Sequence, residues 1–161
     1  MPGKRGSGRL SPRKPKGTRR NPSHLVASWL RPSNLMTSDQ QIVLLVEGDV
    51  MLRGILAETL ADEGLVVLTA ATGEEALAIA GMLDRQLGLV VTDVLLPHID
   101  GLELADHLAG LSSPPPILFI SGVKVKRTLP GPLLAKPFGP MAFLEQVGRM
   151  LTAPQQAGGT R

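Results

Sequence analysis

Three observations predict an α/β fold built on a doubly wound, five-stranded parallel sheet. Short runs of aliphatic and β-branched residues alternate with longer segments of three-and-four apolar periodicity. The short runs are apolar throughout rather than alternately polar, as strands buried on both faces require. Gly, Pro or Asp then punctuates the junctions between them. Strands alternating with helices imply right-handed crossovers and helices on both faces of one sheet.

The elements follow in order. IVLLV at residues 42–46 is the first buried strand. Across residues 50–63, Met51, Leu52, Ile55, Leu56, Thr59 and Leu60 recur at three and four, predicting an amphipathic helix that Gly64 stops. Residues 65–69 form a second strand, and Thr72 caps a helix to Leu83 with Glu74 and Glu75 in its first turn. Residues 87–92 are a third strand, residues 101–111 a third helix and residues 117–120 a fourth strand after Pro114, Pro115 and Pro116. Between Ser121 and Lys136, Pro130 and Pro132 forbid a long helix, so the fourth helix is expected to be shortened or missing. Residues 133–135 make a short fifth strand, and residues 140–151 a last helix opened by Pro140.

Composition limits what such a fold can do. The 161 residues leave room for one compact domain plus a flexible segment, and 43% hydrophobic against 19% charged residues suits a globular core. No apolar run approaches the roughly 18 residues of a membrane-spanning helix, so membrane insertion is not expected. With no cysteine, disulfide scaffolds, thiolate zinc sites and cysteine nucleophiles are excluded, and the cytoplasm is the default compartment. Three Phe, one Trp and no Tyr offer little surface for base stacking.

The net charge of +3 hides an asymmetry: residues 1–37 carry nine Lys or Arg and no acid, whereas residues 38–161 carry eight bases and fourteen acids. Like charge among dense Pro, Gly and Ser predicts a disordered basic extension over residues 1–37, a folded domain over residues 38–153 and a fraying tail over residues 154–161. The extension reads as an arm for nucleic acid or anionic lipid, as an idle solvated tail, as a transit peptide by composition, or as upstream sequence if translation starts at Met36. The tail and the Met36 start rank above a binding role, so nucleic acid is not the expected partner. HLVASWL is too short for the core of a secretory signal.

In open parallel sheets ligands sit outside the carboxyl ends of the strands. Glu47 and Asp49 follow the first strand, Asp93 ends the third, Ser121 follows the fourth and Lys136 follows the fifth. Carboxylates held together repel unless a cation intervenes, and oxygen ligands of this kind suit Mg²⁺ with phosphate. Asp93 is then a candidate nucleophile that accepts a phosphoryl group, Lys136 the ammonium that offsets its charge, and Ser121 a hydroxyl donor to a phosphoryl oxygen. Each residue alone is more often a turn, cap or solvated residue, but four at four successive strand ends form a constellation. His98 and His107 are expected to face solvent rather than act as ligands.

VLLVEGD at residues 43–49, TDVLLPHIDGLEL at residues 92–104, ISG at residues 120–122 and AKPF at residues 135–138 resemble the signature stretches of response-regulator receiver domains in bacterial phosphorelays, over roughly residues 40–152. The resemblance implies a flavodoxin-like strand order of 2-1-3-4-5. It implies phosphorylation on Asp93 by a histidine kinase or phosphotransfer protein, a Mg²⁺ site using Glu47, Asp93 and the Leu95 carbonyl, and phosphate contacts from Ser121 and Lys136. It also implies a cis peptide before Pro137, and signalling to a downstream protein target rather than enzymatic turnover.

Two departures accompany the match. Gly48 stands where the family carries a second metal-binding acid, so Mg²⁺ affinity is expected to fall unless Asp49 swings in; Asp49 could equally cap the following helix. Leu133 stands where many receivers carry an aromatic that couples phosphorylation to the output face. The leading expectation is a stand-alone receiver phosphorylated on Asp93; the alternative is a degenerate receiver acting as a phosphorylation-independent docking module. A phosphohydrolase would need a second acid two residues after the nucleophile, where Leu95 stands.

Overall fold

The computed structural model describes residues 42–153. The basic extension, the Met36 start and the C-terminal tail expected from the sequence lie outside the described residues. Strands β1 (Ile42–Val46), β2 (Val66–Ala70), β3 (Leu87–Asp93), β4 (Ile117–Ser121) and β5 (Leu133–Ala135) alternate with helices α1 (Val50–Asp62), α2 (Gly73–Leu83), α3 (Gly101–Leu108) and α4 (Pro140–Thr152). A 3₁₀ turn, Asp84–Gln86, leads into β3. All strand pairs are parallel, in the order β2-β1-β3-β4-β5. This is the doubly wound sheet that the apolar runs predict, and its winding reverses between β1 and β3.

The sheet separates two apolar layers because successive strand residues point to opposite faces. Val43 and Leu45 join Leu56 and Leu60 of α1 and Phe143, Leu144 and Val147 of α4. Leu44 and Val46 join Ala76 and Ala80 of α2 and Leu104 and Leu108 of α3 on the other face. All seven residues of β3 are buried, which makes it the centre from which Asp93 projects.

Three element expectations are corrected. In α1 the turn of 100° per residue puts Leu56 and Leu60 on the sheet with Leu52 partly buried, while Met51 and Ile55, one position round the helix, are exposed. The second strand starts at Val66, not at Leu65. Gly64, at a φ of 82°, reverses the chain, and the Leu65 N–H still donates to Leu60 O at 3.3 Å, so Leu65 belongs to the helix terminus. The third helix ends at Leu108, since Gly110 and Leu111 donate to carbonyls three residues back, at His107 and Leu108, and tighten the chain into a turn.

No helix forms between β4 and β5. Val125 and Leu129 of this loop pack against a small cluster of Val94, Leu102, Ala105 and Phe119, covering the sheet where a crossover helix would lie. No helix among the described residues is long and apolar enough to cross a membrane.

Candidate phosphoacceptor site

The carboxyl ends of β1, β3, β4 and β5 converge at the place where the winding reverses. Glu47 leaves β1, Asp93 closes β3, Ser121 closes β4, and Lys136 leaves β5, with its backbone N–H donating to Ser121 O at 2.7 Å. Glu47, Asp93 and Ser121 are buried although polar, so each needs a partner.

Lys136 supplies it for both acids. Its Nζ donates to Glu47 Oε2 at 2.7 Å and to Asp93 Oδ2 at 2.7 Å. The other oxygen of each carboxylate takes a backbone N–H: Asp49 N–H donates to Glu47 Oε1 at 3.0 Å, and Leu95 N–H to Asp93 Oδ1 at 2.9 Å. The side chains of Glu47, Asp93 and Lys136 retain 4%, 13% and 21% of their exposure, which keeps the triad largely out of water and strengthens its charge interactions. Burial works to lower the Lys136 pKa, but the hydrogen bonds and charges of Asp93 and Glu47 outweigh it and hold the ammonium above its ordinary 10.5. Lys136 is therefore a full cation at neutral pH.

The remaining sequence candidates sit differently. The Ser121 hydroxyl accepts from Val123 N–H at 3.2 Å and donates to Val123 O at 3.1 Å, so it closes its own loop and does not touch Asp93. Asp49 caps α1: its Oδ1 accepts from Met51 and Leu52 N–H at 2.8 and 2.9 Å. The Leu52 and Met51 N–H groups hold its carboxyl below the ordinary 3.8. Of the two roles open to Asp49, the structure takes the cap. Leu95 lies beyond Asp93 with its side chain exposed, and the Lys136–Pro137 peptide is cis. His98 and His107 are exposed, and His107 Nδ1 lies 2.7 Å from Glu103 O within its own helix.

Two residues were not singled out by the strand-end rule. Arg53, on α1, donates through Nη1 to the carbonyls of Glu47 and Gly48 and braces the loop that carries Glu47. Its spacing of four from the Asp49 cap was the available signal, since that places it one turn above the loop. Gly101 was read only as a helix start. A Cβ there would stand 2.4 Å from Asp93 O and 3.0 Å from Val94 Cα, so the start of α3 rests directly on the Asp93 backbone.

The donor set does not match a resident Mg²⁺. Gly48 offers no side chain, Asp49 is engaged as a cap, and Lys136 stands between the two acids that remain. Among the described residues no group of three or more His, Cys, Asp or Glu is arranged to hold a metal.

Comparisons with known proteins identify the family and the fold. The family model for the response regulator receiver domain matches residues 43–130, more than half of the chain. The transcriptional regulatory protein YbdJ of Bacillus subtilis is 30% identical over 115 residues, covering 68% of this chain and 50% of its own length. The chain spans about half the length of that relative. The receiver domain of the hybrid histidine kinase CckA superimposes with a TM-score of 0.62 at 34% identity, over 68% of this chain and 98% of its own. A CheX-CheY-BeF₃-Mg²⁺ complex from Borrelia burgdorferi shares the fold at 22% identity and a TM-score of 0.62, over 66% of this chain and 86% of that one. The family model covers more than half of the chain and the solved receiver domain shares its fold, and the chain belongs to the response-regulator receiver domain family.

Proposed function

We propose that the chain acts in two-component signal transduction by accepting a phosphoryl group on Asp93 from the phosphohistidine of a histidine kinase or phosphotransfer protein. The observation that carries this reading is the buried Glu47–Lys136–Asp93 bridge at the carboxyl ends of three strands. In the transfer, an Asp93 carboxylate oxygen bonds to phosphorus as the bond from phosphorus to the imidazole nitrogen breaks, and the imidazole leaves with the electron pair and takes a proton. Lys136 offsets the charge of the transferring group, exchanging part of its contact with the acids for a phosphoryl oxygen. Ser121 is one rotation from a phosphoryl oxygen, provided that it releases Val123. The phosphorylated face would then recruit a downstream protein by contact, and the reaction belongs to the cytoplasm, where kinase-derived phosphoryl groups are met.

Intact-mass analysis after incubation with a small-molecule phosphodonor, with and without Mg²⁺, tests the reading. Wild type should gain the mass of one phosphoryl group and Asp93→Asn should not. An adduct that persists in Asp93→Asn, or a folded wild type that takes none from either the donor or a histidine kinase, sinks it.

A second reading, a docking module indifferent to phosphorylation, is favoured by Gly48 and by the commitment of Asp49 to its helix. It predicts partner affinity unchanged by Asp93→Asn.

A further inference from the structure

We infer that Lys136 is the resident cation of this site, standing between Glu47 and Asp93 so that the resting protein holds no divalent metal there. The inference rests on the proposed phosphoacceptor reading and assigns its charge balance at rest.

All four carboxylate oxygens of Glu47 and Asp93 already have a donor. One oxygen of each accepts a backbone N–H, and the other accepts the Lys136 ammonium at 2.7 Å. A divalent ion bridging the two acids must therefore compete with Lys136 for the remaining lone pairs of these oxygens and meet the like charge of its ammonium. Mg²⁺ gives up its waters reluctantly and favours near-octahedral oxygen geometry, usually completed by phosphate. At rest no phosphoryl group contributes oxygens, and two carboxylates that keep an ammonium are a poor exchange for hydration.

A third acid is missing for chemical rather than steric reasons. A Cβ at Gly48 would meet nothing nearer than Ala71 O at 3.9 Å, so a side chain can be started there without a clash. The neighbouring Asp49 could reach inward only by giving up Met51 and Leu52 N–H and uncapping α1. The Arg53 guanidinium on the Glu47 and Gly48 carbonyls adds a second cation at the rim. The two carboxylates share the Lys136 ammonium, and an entering divalent ion would meet its like charge between them.

The test is a Mn²⁺ titration of the chelator-stripped full chain, with free Mn²⁺ followed by electron paramagnetic resonance and the site identified by broadening of the Glu47, Asp93 and Leu95 amides. At Mn²⁺ levels that half-saturate Gly48→Asp, wild type should be at most about one-tenth occupied, an affinity about tenfold or more lower, because ligand charge count tunes affinity at oxygen sites. Lys136→Ala, which removes the competing ammonium, should also bind Mn²⁺ more tightly than wild type. Wild-type binding at these three amides as tight as in Gly48→Asp overturns the inference, and so does a folded Lys136→Ala that gains no affinity. Should Lys136→Ala fail to fold, the comparison of Gly48→Asp with wild type decides alone. The phosphorylation reading fails separately: an adduct on Asp93 alongside tight wild-type Mn²⁺ binding removes only this inference, and absence of both adduct and Mn²⁺ removes only the phosphoacceptor role.

Discussion

Asp49 and Asp93 show how position sets the work of a carboxylate. Asp93 ends a fully buried strand and meets an ammonium; Asp49, two residues beyond Glu47, meets the first free N–H groups of a helix and satisfies two of them. The cap carries a pH signature. Because those N–H groups hold the Asp49 pKa below 3.8, its contribution to stability is present above 3.8 and is lost as pH falls through the lowered value. Asp49→Asn keeps an accepting oxygen but does not titrate, so its thermal midpoint should fall less than that of wild type as the solution is acidified through the carboxylate range. Asp49→Ala should melt lower than both at neutral pH, and melting curves with superimposable acid limbs for wild type and Asn would refute the assignment. Lys136 has the opposite sign: its pKa is raised above 10.5, so the bridge contributes fully below 10.5 and is lost only as pH rises through the raised value. Asp93 and Lys136 were legible in the sequence because a strand end fixes where a side chain emerges. The direction of the Ser121 hydroxyl was not, since one bond rotation decides whether it turns to the backbone of Val123 or away from it. Arg53 escaped because it reaches the site from a helix.

At the scale of elements, the register of α3 against β3 is set by one close approach. Asp100 opens the helix with a capping box, accepting from Leu102 and Glu103 N–H while the Glu103 carboxylate accepts from Asp100 N–H. Gly101 N–H then donates to Val94 O at 3.0 Å, and the lack of a Cβ lets the turn touch Asp93 O. Gly101→Ala forces the helix start away from that carbonyl, and as an overpacking change against backbone it should cost about 1–3 kcal/mol in urea unfolding. Gly48→Ala, whose Cβ meets nothing nearer than 3.9 Å, should leave stability near wild type. Equal costs for the two variants would show that the close approach at Gly101 is not what holds the loop. Element identities were legible from apolar runs and helical periodicity, whereas their ends were not. Leu65 and Leu111 continue the apolar pattern but are claimed by turns whose hydrogen bonds the pattern does not encode. The exposed Met51 and Ile55 mark the same limit: the apolar residues of α1 span more of its circumference than the sheet covers.

Across the whole molecule, the connection from β4 to β5 is the departure with the widest reach. Parallel strands are ordinarily joined through a helix that covers one face of the sheet, and Pro130 and Pro132 preclude one here. Strand order and the missing helix were both legible, one through the family resemblance and the other through these prolines. How the loop seals the sheet was not, because Val125 and Leu129 belong to no periodic pattern. These two side chains are only partly buried, and β5 is a three-residue edge strand with Leu133 42% exposed. β5 nevertheless presents Lys136, whose N–H is tied to Ser121 O. The resting position of the ammonium therefore depends on a lightly covered edge, while Glu47 and Asp93 rest on the buried centre. Leu129→Ala should cost about 1–2 kcal/mol, below the range for a fully buried leucine because the site is half open. Its effect should also be local: amide exchange should quicken at residues 133–136 while β1 and β3 keep their protection, since sub-global opening follows the least buried elements. Exchange that quickens equally in β1 and β3, or nowhere, would show that Leu129 does not fasten the edge that carries Lys136.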